Sequence, residues 1–423
     1  MKITLMNGNV LDMLKKIPDE SVDCVVTSPP YYGLRSYKGA DTIWGGNPEC
    51  EHEWVSQKVY QDNLRFRDPN HVAQVGNNKN PEIFDNPSTK ADLCSKCGAW
   101  KGQLGLEPTY NLYVEHLMLV MDEIKRVLKK TGTVFWNMGD SYSSKGGMSN
   151  PEHLINAKVG NTKSGEQKGI RYINSLINDI PDKSLMMIPE RFAMSAIDNG
   201  WILRNKIIWY KRNGMPSSVK DRFSNKWEYV YFFTKSRKYY FDLDSVRKPF
   251  SQESIKRRQQ KKVSINMQKF EGEGAYKRKH SGYKNTDGSN RINENGANPG
   301  DVIKVAAVRY KSWYSYLSPN YPHTRIYDPD ADGGDFHDVP TTPHAFAHFA
   351  VYPETLIESL IKSGCPKDGV VLDPFAGSGT TGLVARNLGR SSILIEISSE
   401  YCNIIKDRLN WGAGIDIEYE VNS

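Results

Sequence analysis

A short apolar segment that is stopped by two consecutive prolines constrains the fold of this chain more than any other feature. The segment 22–26 has the composition of a buried strand in a parallel sheet. Pro29 and Pro30 then stop the strand, because proline fixes φ and donates no hydrogen bond to a neighbouring strand. The result is a rigid loop at the carboxyl end of a strand, which is where open α/β sheets place their binding sites. The sequence therefore predicts an α/β fold with a site at this loop.

The loop after this strand, residues 27–33, offers groups that suit a flat ring with an amino substituent, such as a nucleobase. Ser28 provides a hydroxyl, the prolines leave backbone carbonyls that no neighbouring N–H claims, and Tyr31 provides an aromatic face. The alternative is a proline-rich strand exit that is shaped by turn geometry alone. A motif this short does not decide between the two.

The rest of the chain alternates between strand and helix patterns. The aromatic run 239–241 is predicted to begin or close a further strand. The other predicted strands are 2–6, 133–140, 201–210, 228–234, 370–375 and 392–396. The predicted helices are 10–16, 188–199, 351–361 and 399–409, and the segment 376–382 is predicted to turn into another helix. A further helix is predicted with Thr109 as N-cap; it continues to Leu128 and is ended by Lys129, Lys130 and Gly132.

Residues 41–105 interrupt this pattern with a polar stretch rich in Asn, Pro and Gly, which indicates an insertion. Cys50 and His52 lie near one end of it, and Cys94 and Cys97 lie near the other. A C-x-x-C pair forms a tight knuckle whose two thiolates can share one tetrahedral zinc, and Cys50 with His52 can complete a closed structural site. The alternative is a loop with reduced, unligated cysteines. We favour zinc because the insertion has little apolar content to stabilise it otherwise, and His52 is the ligand that the spacing supports least.

Residues 246–345 form a basic region in a chain whose formal net charge is +7. Lysines and arginines far outnumber acidic residues in its first half, and aromatic residues are interleaved with them or follow them. Such a composition is common in solvated or disordered charged loops. Interleaved basic and aromatic side chains also favour contact with nucleic acid, so we assign target recognition to this region.

A glycine loop near the C-terminus has the pattern Gly377-x-Gly379-x-x-Gly382 between a predicted strand and a predicted helix. It fits the general dinucleotide fingerprint, and Glu396 at the end of the next strand can reach a ribose. No lysine follows the glycines, which excludes a phosphate-binding P-loop. A nicotinamide dinucleotide and S-adenosylmethionine both fit the pattern. The tail after Glu396 is short, which leaves little chain for the rest of a nicotinamide-binding domain.

Two motifs together produce a more specific resemblance. Ser-Pro-Pro-Tyr at 28–31 resembles the catalytic motif of DNA methyltransferases that act on exocyclic amino groups, and Asp-Pro-Phe-Ala-Gly-Ser-Gly-Thr-Thr at 373–381 resembles their methionine-binding motif. The catalytic motif comes first and the basic region lies between the two, as in the β class of DNA amino-methyltransferases. The insertion 41–105 resembles one found in a subset with a zinc-binding insertion. The resemblance implies an α/β class-I methyltransferase fold: a Rossmann-like, mixed and mostly parallel sheet with helices on both faces, circularly permuted in motif order.

The resemblance also implies roles for residues that match these motifs. The catalytic residues would be Ser28, Pro29, Pro30 and Tyr31, with Tyr31 stacked on a flipped-out base. Asn9 departs from the family pattern, which usually has an aspartate there, because its amide oxygen can accept a bond from adenine but carries no charge. The residues implied in cofactor binding are Asn9, Thr27, Ala350, Tyr352, Pro353, Asp373, Pro374, Phe375, Ala376, Gly377, Gly379, Thr380, Thr381 and Glu396.

The implied reaction is methyl transfer from S-adenosylmethionine to an amino group of double-stranded DNA. Ser-Pro-Pro-Tyr is associated in this family with cytosine N4, and adenine N6 is the alternative. A zinc- and nucleic-acid-binding module without catalysis is an option of a different class, and a dehydrogenase is another. A cognate restriction endonuclease is a candidate partner, and a dimer is a candidate assembly.

The predicted organisation has four parts. They are a catalytic half at 1–40 and 106–245, a zinc-binding insertion at 41–105, the target-recognition region at 246–345, and a cofactor-binding half at 346–423. Six cysteines in 423 residues are too few for a disulfide scaffold. The N-terminal apolar run is too short for a signal peptide, and no stretch approaches the length of a membrane-spanning helix. We therefore expect a cytoplasmic protein without a membrane partner, encoded by a prokaryote or a phage.

Overall fold

The structure is a computed structural model that describes most of the chain and divides it into two units. The larger unit comprises Met1–Phe241 with Asp301–Ser423, and the smaller comprises Asp242–Gly300. In the smaller unit, Lys248 forms an antiparallel bridge with Ala297, and Arg247 donates to the Gly296 carbonyl at 3.1 Å. The described residues are 1–33, 40–58, 90–143, 180–181, 183–211, 219–250, 296–305, 352–410 and 417–421.

The secondary structure of the described residues alternates between strands and helices over much of the chain. The strands are β1 (Ile3–Asn7), β2 (Val22–Thr27), β3 (Thr42–Trp44), β4 (Trp54–Lys58), β5 (Lys90–Cys94), β6 (Trp100–Gly102), β7 (Leu128–Met138), β8 (Ile202–Lys211), β9 (Trp227–Thr234), β10 (Val302–Val305), β11 (Val370–Asp373), β12 (Ser391–Glu396) and β13 (Ile417–Val421). The α-helices are α1 (Val10–Lys16), α2 (Tyr110–Val127), α3 (Ile188–Asp198), α4 (Glu354–Gly364), α5 (Thr380–Asn387) and α6 (Ser399–Asn410).

Nine of the described strands form one sheet in the order β10-β8-β9-β7-β2-β11-β12-β1-β13. β9 is antiparallel to β7 and to β8, and the other neighbours in this sheet are parallel. The carboxyl ends of β2, β7, β8, β11 and β12 therefore meet at one edge of the sheet, together with the start of β9. We call this the carboxyl edge, and it is where such sheets place ligands.

Helices cover both faces of this sheet. Val25 of β2 belongs to an apolar cluster with α1, α2 and α3, whereas its neighbour Val26 belongs to a cluster with α4 on the other face. A third cluster joins β1 and β12 to α5 and α6. Successive strand residues point to opposite faces, so a strand that is apolar at both positions must be covered on both sides. The mixed, mostly parallel sheet implied by the resemblance is confirmed.

The insertion carries a small antiparallel sheet of its own, with the strand order β3-β6-β5-β4. β4 and β5 pair over five residues, from Trp54 opposite Cys94 to Lys58 opposite Lys90. Residues 59–89, between these two strands, lie outside the described part of the chain. The sheet brings the two ends of the insertion together although they are distant in sequence.

Most predicted elements differ from the observed ones only by a few residues at their ends, as for the predicted strand 370–375, which ends at Asp373. Two differ by more. β7 begins at Leu128, directly after α2 ends at Val127, because the Leu128 N–H caps the helix on the Ile124 carbonyl while the chain is already extended. The residues predicted to end the helix therefore belong to a strand. The run 239–241 is not a strand. The Tyr239 ring packs edge-on against Phe232, and no local sequence pattern reveals this tertiary contact.

Two edge strands of the main sheet were not predicted. β10 lies within the predicted target-recognition region 246–345, yet it pairs in parallel with β8. β13 follows α6 and pairs in parallel with β1. Residues 251–295 and 306–345 of the predicted region lie outside the described residues. In the part of the chain that the structure describes, we find no helix long and apolar enough to cross a membrane.

Candidate active site and metal centre

The two sequence motifs meet at the carboxyl edge because their strands are neighbours. β2 and β11 pair in parallel, with Val371 opposite Cys24, so the loops that follow them start side by side. The Thr27 hydroxyl donates to Asp373 Oδ1 at 2.6 Å, across 346 positions of sequence. This bond joins the Ser-Pro-Pro-Tyr loop to the glycine loop.

Asp373 is the centre of a buried network of predicted cofactor residues. Its side chain has no exposed surface, and it accepts hydrogen bonds from the hydroxyls of Thr381 (2.6 Å) and Tyr352 (2.8 Å) in addition to Thr27. The Phe375 N–H donates to it as well, at 3.1 Å. Burial raises the pKa of Asp373, and these donors oppose that shift. The carboxylate therefore holds the two loops and α5 in a fixed arrangement.

Glu396 at the end of β12 organises the glycine loop. Its two carboxylate oxygens accept the backbone N–H groups of Gly377 and Ser398, each at 2.8 Å. Burial raises the pKa of Glu396 to about 7, although both backbone bonds act in the opposite direction. The helix after the loop lies close to β12, because a Cβ added at Gly382 would lie 2.6 Å from the Leu394 side chain. Glycines with a carboxylate one strand later fit the needs of a nucleoside cofactor.

Arg408 of α6 is a buried contributor that sequence reasoning missed. Its guanidinium donates to the Ser378 carbonyl (3.1 Å), to the Thr380 hydroxyl (3.0 Å) and to Glu354 Oε1 (2.9 Å). It therefore ties the glycine loop to the start of α4. The sequence gives no signal for this role, because an arginine in an amphipathic helix is ordinarily solvated.

The remaining predicted cofactor residues lie in different settings. The Asn9 side chain caps α1 by accepting the Leu11 N–H at 2.8 Å. A different asparagine, Asn7, lies next to Glu396, and its side-chain amide donates to the Glu396 backbone carbonyl at 2.8 Å. Pro353 precedes α4 at its N-cap position. Phe375 presents its ring at right angles to Trp136, and Ala350 lies outside the described residues.

The Ser-Pro-Pro-Tyr loop is held by side chains from β7, β9 and α2. The Ser28 hydroxyl lies 3.2 Å from the Tyr31 hydroxyl, which in turn lies 3.0 Å from both Asn137 Oδ1 and Glu228 Oε2. The Pro30 carbonyl accepts the Tyr113 hydroxyl at 2.7 Å. Burial raises the pKa of Tyr31, so its phenol stays protonated and can donate. Asn137 and Glu228 were not identified from the sequence.

Two glycines allow the backbone to approach this loop closely. A Cβ at Gly139 would lie 2.7 Å from the Tyr31 ring, so the chain after β7 passes directly against the ring. Gly105 has φ +92°, a conformation that favours glycine, and a Cβ there would lie 3.0 Å from the Tyr31 carbonyl. Its own carbonyl accepts the Gly33 N–H at 2.7 Å. The loop is therefore fixed on both sides.

The four predicted metal ligands come together in the insertion. One ligand atom from each of Cys50, His52, Cys94 and Cys97 lies within 4.8 Å of every other. The sulfurs of Cys50 and Cys94 are 3.8 Å apart, and the Cys97 sulfur is 3.4 Å from His52 Nδ1. Two thiolates bound about 2.3 Å from a tetrahedral zinc would be roughly 3.8 Å apart. A Cβ at Gly46 would lie 2.8 Å from the Cys97 sulfur, so the backbone also leaves room only for glycine there.

His116 of α2 connects the insertion to the main unit. Its ring is stacked between Trp44 of β3 and Trp100 of β6, with ring centres 5.4 Å and 5.6 Å away. Its Nδ1 lies 3.0 Å from Glu107 Oε1, and the other oxygen of Glu107 accepts the Gly105 N–H at 2.7 Å. The contacts therefore run from the insertion sheet to the glycine that supports the Ser-Pro-Pro-Tyr loop.

The fold and the site define a class of protein: an α/β protein whose glycine loop and Ser-Pro-Pro-Tyr loop meet at the carboxyl edge of a mostly parallel sheet. The model of the DNA methylase family, which comprises N6 and N4 methyltransferases, matches residues 22–407, and the chain belongs to this family. It is an S-adenosylmethionine-dependent DNA amino-methyltransferase, which removes the dehydrogenase and the non-catalytic module as alternatives.

Similar proteins include two type II methyltransferases. M.XycI of Xanthomonas campestris pv. cyanopsidis is 28% identical over 407 residues, which cover 96% of this chain and 87% of that protein. M.SfiI of Streptomyces fimbriatus is 27% identical over 452 residues, with 93% and 88% covered. Among solved structures, the cytosine-N4-specific PvuII DNA methyltransferase matches with a TM-score of 0.48 and 16% identity, over 98% of this chain and 89% of its own.

Proposed function

We propose that this enzyme methylates the N4 amino group of cytosine in double-stranded DNA. The observation that supports this choice is the neutral hydroxyl of Ser28 at the first position of the catalytic loop, next to Thr27 and its bond to Asp373. A hydroxyl is a weaker acceptor than the carboxylate that the family associates with adenine N6. Adenine N6 is therefore the second candidate. The identity of the methylated base decides between cytosine N4 and adenine N6.

The residues of the loop suit direct transfer to an amino group. The target nucleotide must leave the duplex, since its amino group is otherwise paired. Tyr31 provides a face on which the base stacks, while Ser28 and a carbonyl of the proline segment accept the two amino hydrogens. This keeps the nitrogen lone pair out of the ring and directs it toward the glycine loop. S-adenosylmethionine, when bound there, supplies an electrophilic methyl group. Catalysis is then mainly positioning by fixed acceptors, and no cysteine is needed as a nucleophile.

Nucleoside mass spectrometry of unmodified DNA, incubated with enzyme and S-adenosylmethionine, tests the base. We expect 4-methylcytosine, and 6-methyladenine would overturn the choice while keeping the mechanism. Ser28→Ala should lower turnover with cofactor affinity retained, whereas Ser21→Ala, at a partly exposed serine before β2, should leave both turnover and cofactor affinity unchanged. Unchanged turnover in Ser28→Ala would contradict the role of the hydroxyl.

We propose that DNA approaches the carboxyl edge near the loop before β9. Phe223 is 96% exposed there, and the basic residues Lys220, Arg222 and Lys226 flank it in sequence. The Arg222 guanidinium lies 3.7 Å from the centre of the Tyr142 ring, which follows β7 at the same edge. Basic side chains suit phosphates, and an exposed aromatic ring can fill the gap left by a flipped base. The basic region 246–345 is proposed to add sequence recognition.

We propose that a structural zinc binds Cys50, His52, Cys94 and Cys97. Four protein ligands leave no open position for substrate, so the metal would stabilise the insertion and take no part in transfer. Metal analysis of the purified protein should find about one zinc per chain. Cys97→Ala should lose it, and Cys402→Ala, a cysteine buried under β12, should retain it. Wild-type protein without metal after purification in zinc would refute the site.

The type II relatives also suggest a biological setting. M.XycI and M.SfiI come from Xanthomonas campestris pv. cyanopsidis and Streptomyces fimbriatus. We propose that this enzyme is prokaryotic or phage-encoded and acts in the cytoplasm beside an endonuclease of the same specificity. Methylation of a plasmid in vivo, followed by digestion with a panel of restriction enzymes, would reveal the protected sequence. If every enzyme of the panel still cuts the plasmid, the result would argue against a partner endonuclease with any of the specificities in that panel.

A further inference from the structure

We propose that Glu228 is a positioning residue that strengthens Ser28 as a hydrogen-bond acceptor, acting through the hydroxyl of Tyr31. The inference rests on the proposed function, since it concerns the hydroxyl that meets the target amino group. It adds a carboxylate from β9 to a loop whose own residues carry no charge. Glu228 lies outside the predicted catalytic motif, residues 28–31.

The direction of the hydrogen bonds follows from the available donors. The Tyr31 hydroxyl has one hydrogen and two acceptors at 3.0 Å, the amide oxygen of Asn137 and the carboxylate of Glu228. A bond to an ionised acceptor is the stronger of the two, so the hydrogen goes to Glu228. The Ser28 hydrogen then donates to the Tyr31 oxygen, 3.2 Å away. The lone pairs of Ser28 are left for the amino hydrogens of the base.

Glu228 is held in place by further contacts. Lys211, at the end of β8, forms an ion pair with its other oxygen and lies 4.4 Å from the centre of the Trp209 ring. Asn137 is fixed by its own amide, which donates to the Tyr229 carbonyl at 2.9 Å. The carboxylate is therefore oriented by a cation on one side while its remaining oxygen faces Tyr31.

The sheet explains why a residue so distant in sequence is available. β9 runs antiparallel to β7 and β8, so its first residues lie at the carboxyl edge, with Glu228 opposite Trp209 and Tyr229 opposite Met138. A strand in the parallel orientation would place its last residues there instead. The antiparallel strand is the element that brings a carboxylate to the Ser-Pro-Pro-Tyr loop.

The chemical benefit lies in cooperative polarisation. A hydroxyl that donates to a chain ending on a carboxylate becomes a better acceptor, because successive hydrogen bonds polarise one another. The target nitrogen gains positive charge as its bond to the methyl group forms, and a stronger acceptor stabilises that charge. The carboxylate itself stays one phenol away from the base. A neutral serine thus gains part of the character of an aspartate.

The test is a double-mutant cycle with Glu228→Gln and Tyr31→Phe, with kcat, the KM for DNA and the dissociation constant of S-adenosylmethionine measured for each protein. Glu228→Gln keeps the shape but removes the charge, and we expect kcat to fall about tenfold to a hundredfold. Cofactor affinity should stay within about twofold of the wild type, and the melting temperature checks the fold. Because the effect passes through the Tyr31 hydroxyl, Glu228→Gln should cost little more in the Tyr31→Phe background.

Glu190→Gln is the matched control. Glu190 lies on α3 and forms an ion pair with Lys206 of β8 at 2.6 Å, and among the described contacts it has none with Ser28 or Tyr31. The control variant should leave kcat unchanged. An undiminished effect of Glu228→Gln in the Tyr31→Phe background, or no effect on kcat in the wild type, would overturn the inference. The ratio between variants is independent of which methylated base forms. Formation of 6-methyladenine therefore contradicts the proposed function alone. Additive effects of Glu228→Gln and Tyr31→Phe on kcat contradict the role of Glu228 alone.

Discussion

Lowering the pH from 8 to 6 should weaken the binding of S-adenosylmethionine by about tenfold, through protonation of Glu396. Its carboxylate stands at the end of β12, and we propose that it accepts the ribose hydroxyls of the cofactor, as the family pattern and the glycine fingerprint imply. An ionised carboxylate accepts two ribose hydroxyls, whereas the neutral acid must itself donate one hydrogen. The perturbation is therefore a change of proton occupancy at one buried group.

The magnitude follows from the raised pKa of Glu396, which burial moves to about 7. With such a pKa, roughly nine-tenths of the groups are neutral at pH 6 and about one-tenth at pH 8. The dissociation constant scales inversely with the ionised fraction, which gives the factor of about ten. The raised pKa of Glu396 also makes the stability of the fold depend on pH. The folded pKa lies above the unfolded value of 4.5, so the folded state binds more protons in this window. The free energy of unfolding should decrease as pH rises from 4.5 through about 7.

Isothermal titration calorimetry at pH 6, 7 and 8, on wild type and on Glu396→Gln, measures the effect. The variant should bind more weakly at pH 8 and lose the part of the pH dependence that belongs to Glu396. Protonation of the cofactor itself is common to both proteins and cancels in the comparison. Equal pH dependence in wild type and variant would refute the assignment, and so would a wild-type affinity that is constant across the range.

Three further predictions concern the DNA face, the glycine loop and the insertion. Phe223→Ala should raise the KM for DNA and leave the affinity for S-adenosylmethionine unchanged; a change confined to cofactor affinity would contradict a DNA contact. Gly382→Ala should lower the free energy of unfolding by about 1–3 kcal/mol in a denaturant titration, because the new methyl group meets Leu394. In a Leu394→Ala background, which is itself destabilised, adding Gly382→Ala should cost less than it does in the wild type, and an equal cost would contradict the clash. His116→Phe keeps an aromatic ring against the two indoles but leaves the buried Glu107 Oε1 without its imidazole partner, while the Gly105 N–H stays on Oε2. Urea unfolding should show a loss of about 1–3 kcal/mol, and an unchanged free energy of unfolding would contradict the importance of this contact.

The elements that the sequence predicted well are those determined by neighbouring residues. Asn9 and Thr109 each cap the helix that follows, with side-chain oxygens accepting the N–H of Leu11 and of Leu112. The prolines of the Ser-Pro-Pro-Tyr loop follow directly on the end of β2 at Thr27, as their missing N–H requires. Such signals are local, and tertiary packing did not override them. The turn at the C-x-x-C pair, in which the Gly98 N–H donates to the Cys94 carbonyl at 2.9 Å, is local in the same way, while zinc binding there stays a prediction.

The site residues that were missed have no local signature. Glu228 lies in an alternating aromatic strand, Arg408 in an amphipathic helix and His116 on an apolar helix face, and each pattern alone indicates ordinary packing. Their roles arise from partners 9 to 197 positions away, such as Glu107 for His116 and Tyr31 for Glu228. β10 and β13 were missed for a related reason, since a short edge strand is specified by the strand it joins.

The parallel pairing of β2 and β11 makes the meeting of the two motifs independent of their order in the chain, and the hydrogen bond between Thr27 and Asp373 leads to a last prediction. β2 and β11 are neighbours in the sheet, so their loops meet whichever motif comes first in the chain. Thr27→Val removes one donor from the buried Asp373 carboxylate and keeps the side-chain volume, which should cost about 1–3 kcal/mol. Because this carboxylate also holds Tyr352 and Thr381, the variant should weaken S-adenosylmethionine binding and lower kcat together. Ser28→Ala, one residue later, should lower kcat alone, and identical profiles for the two variants would show that the loops are not coupled through Asp373.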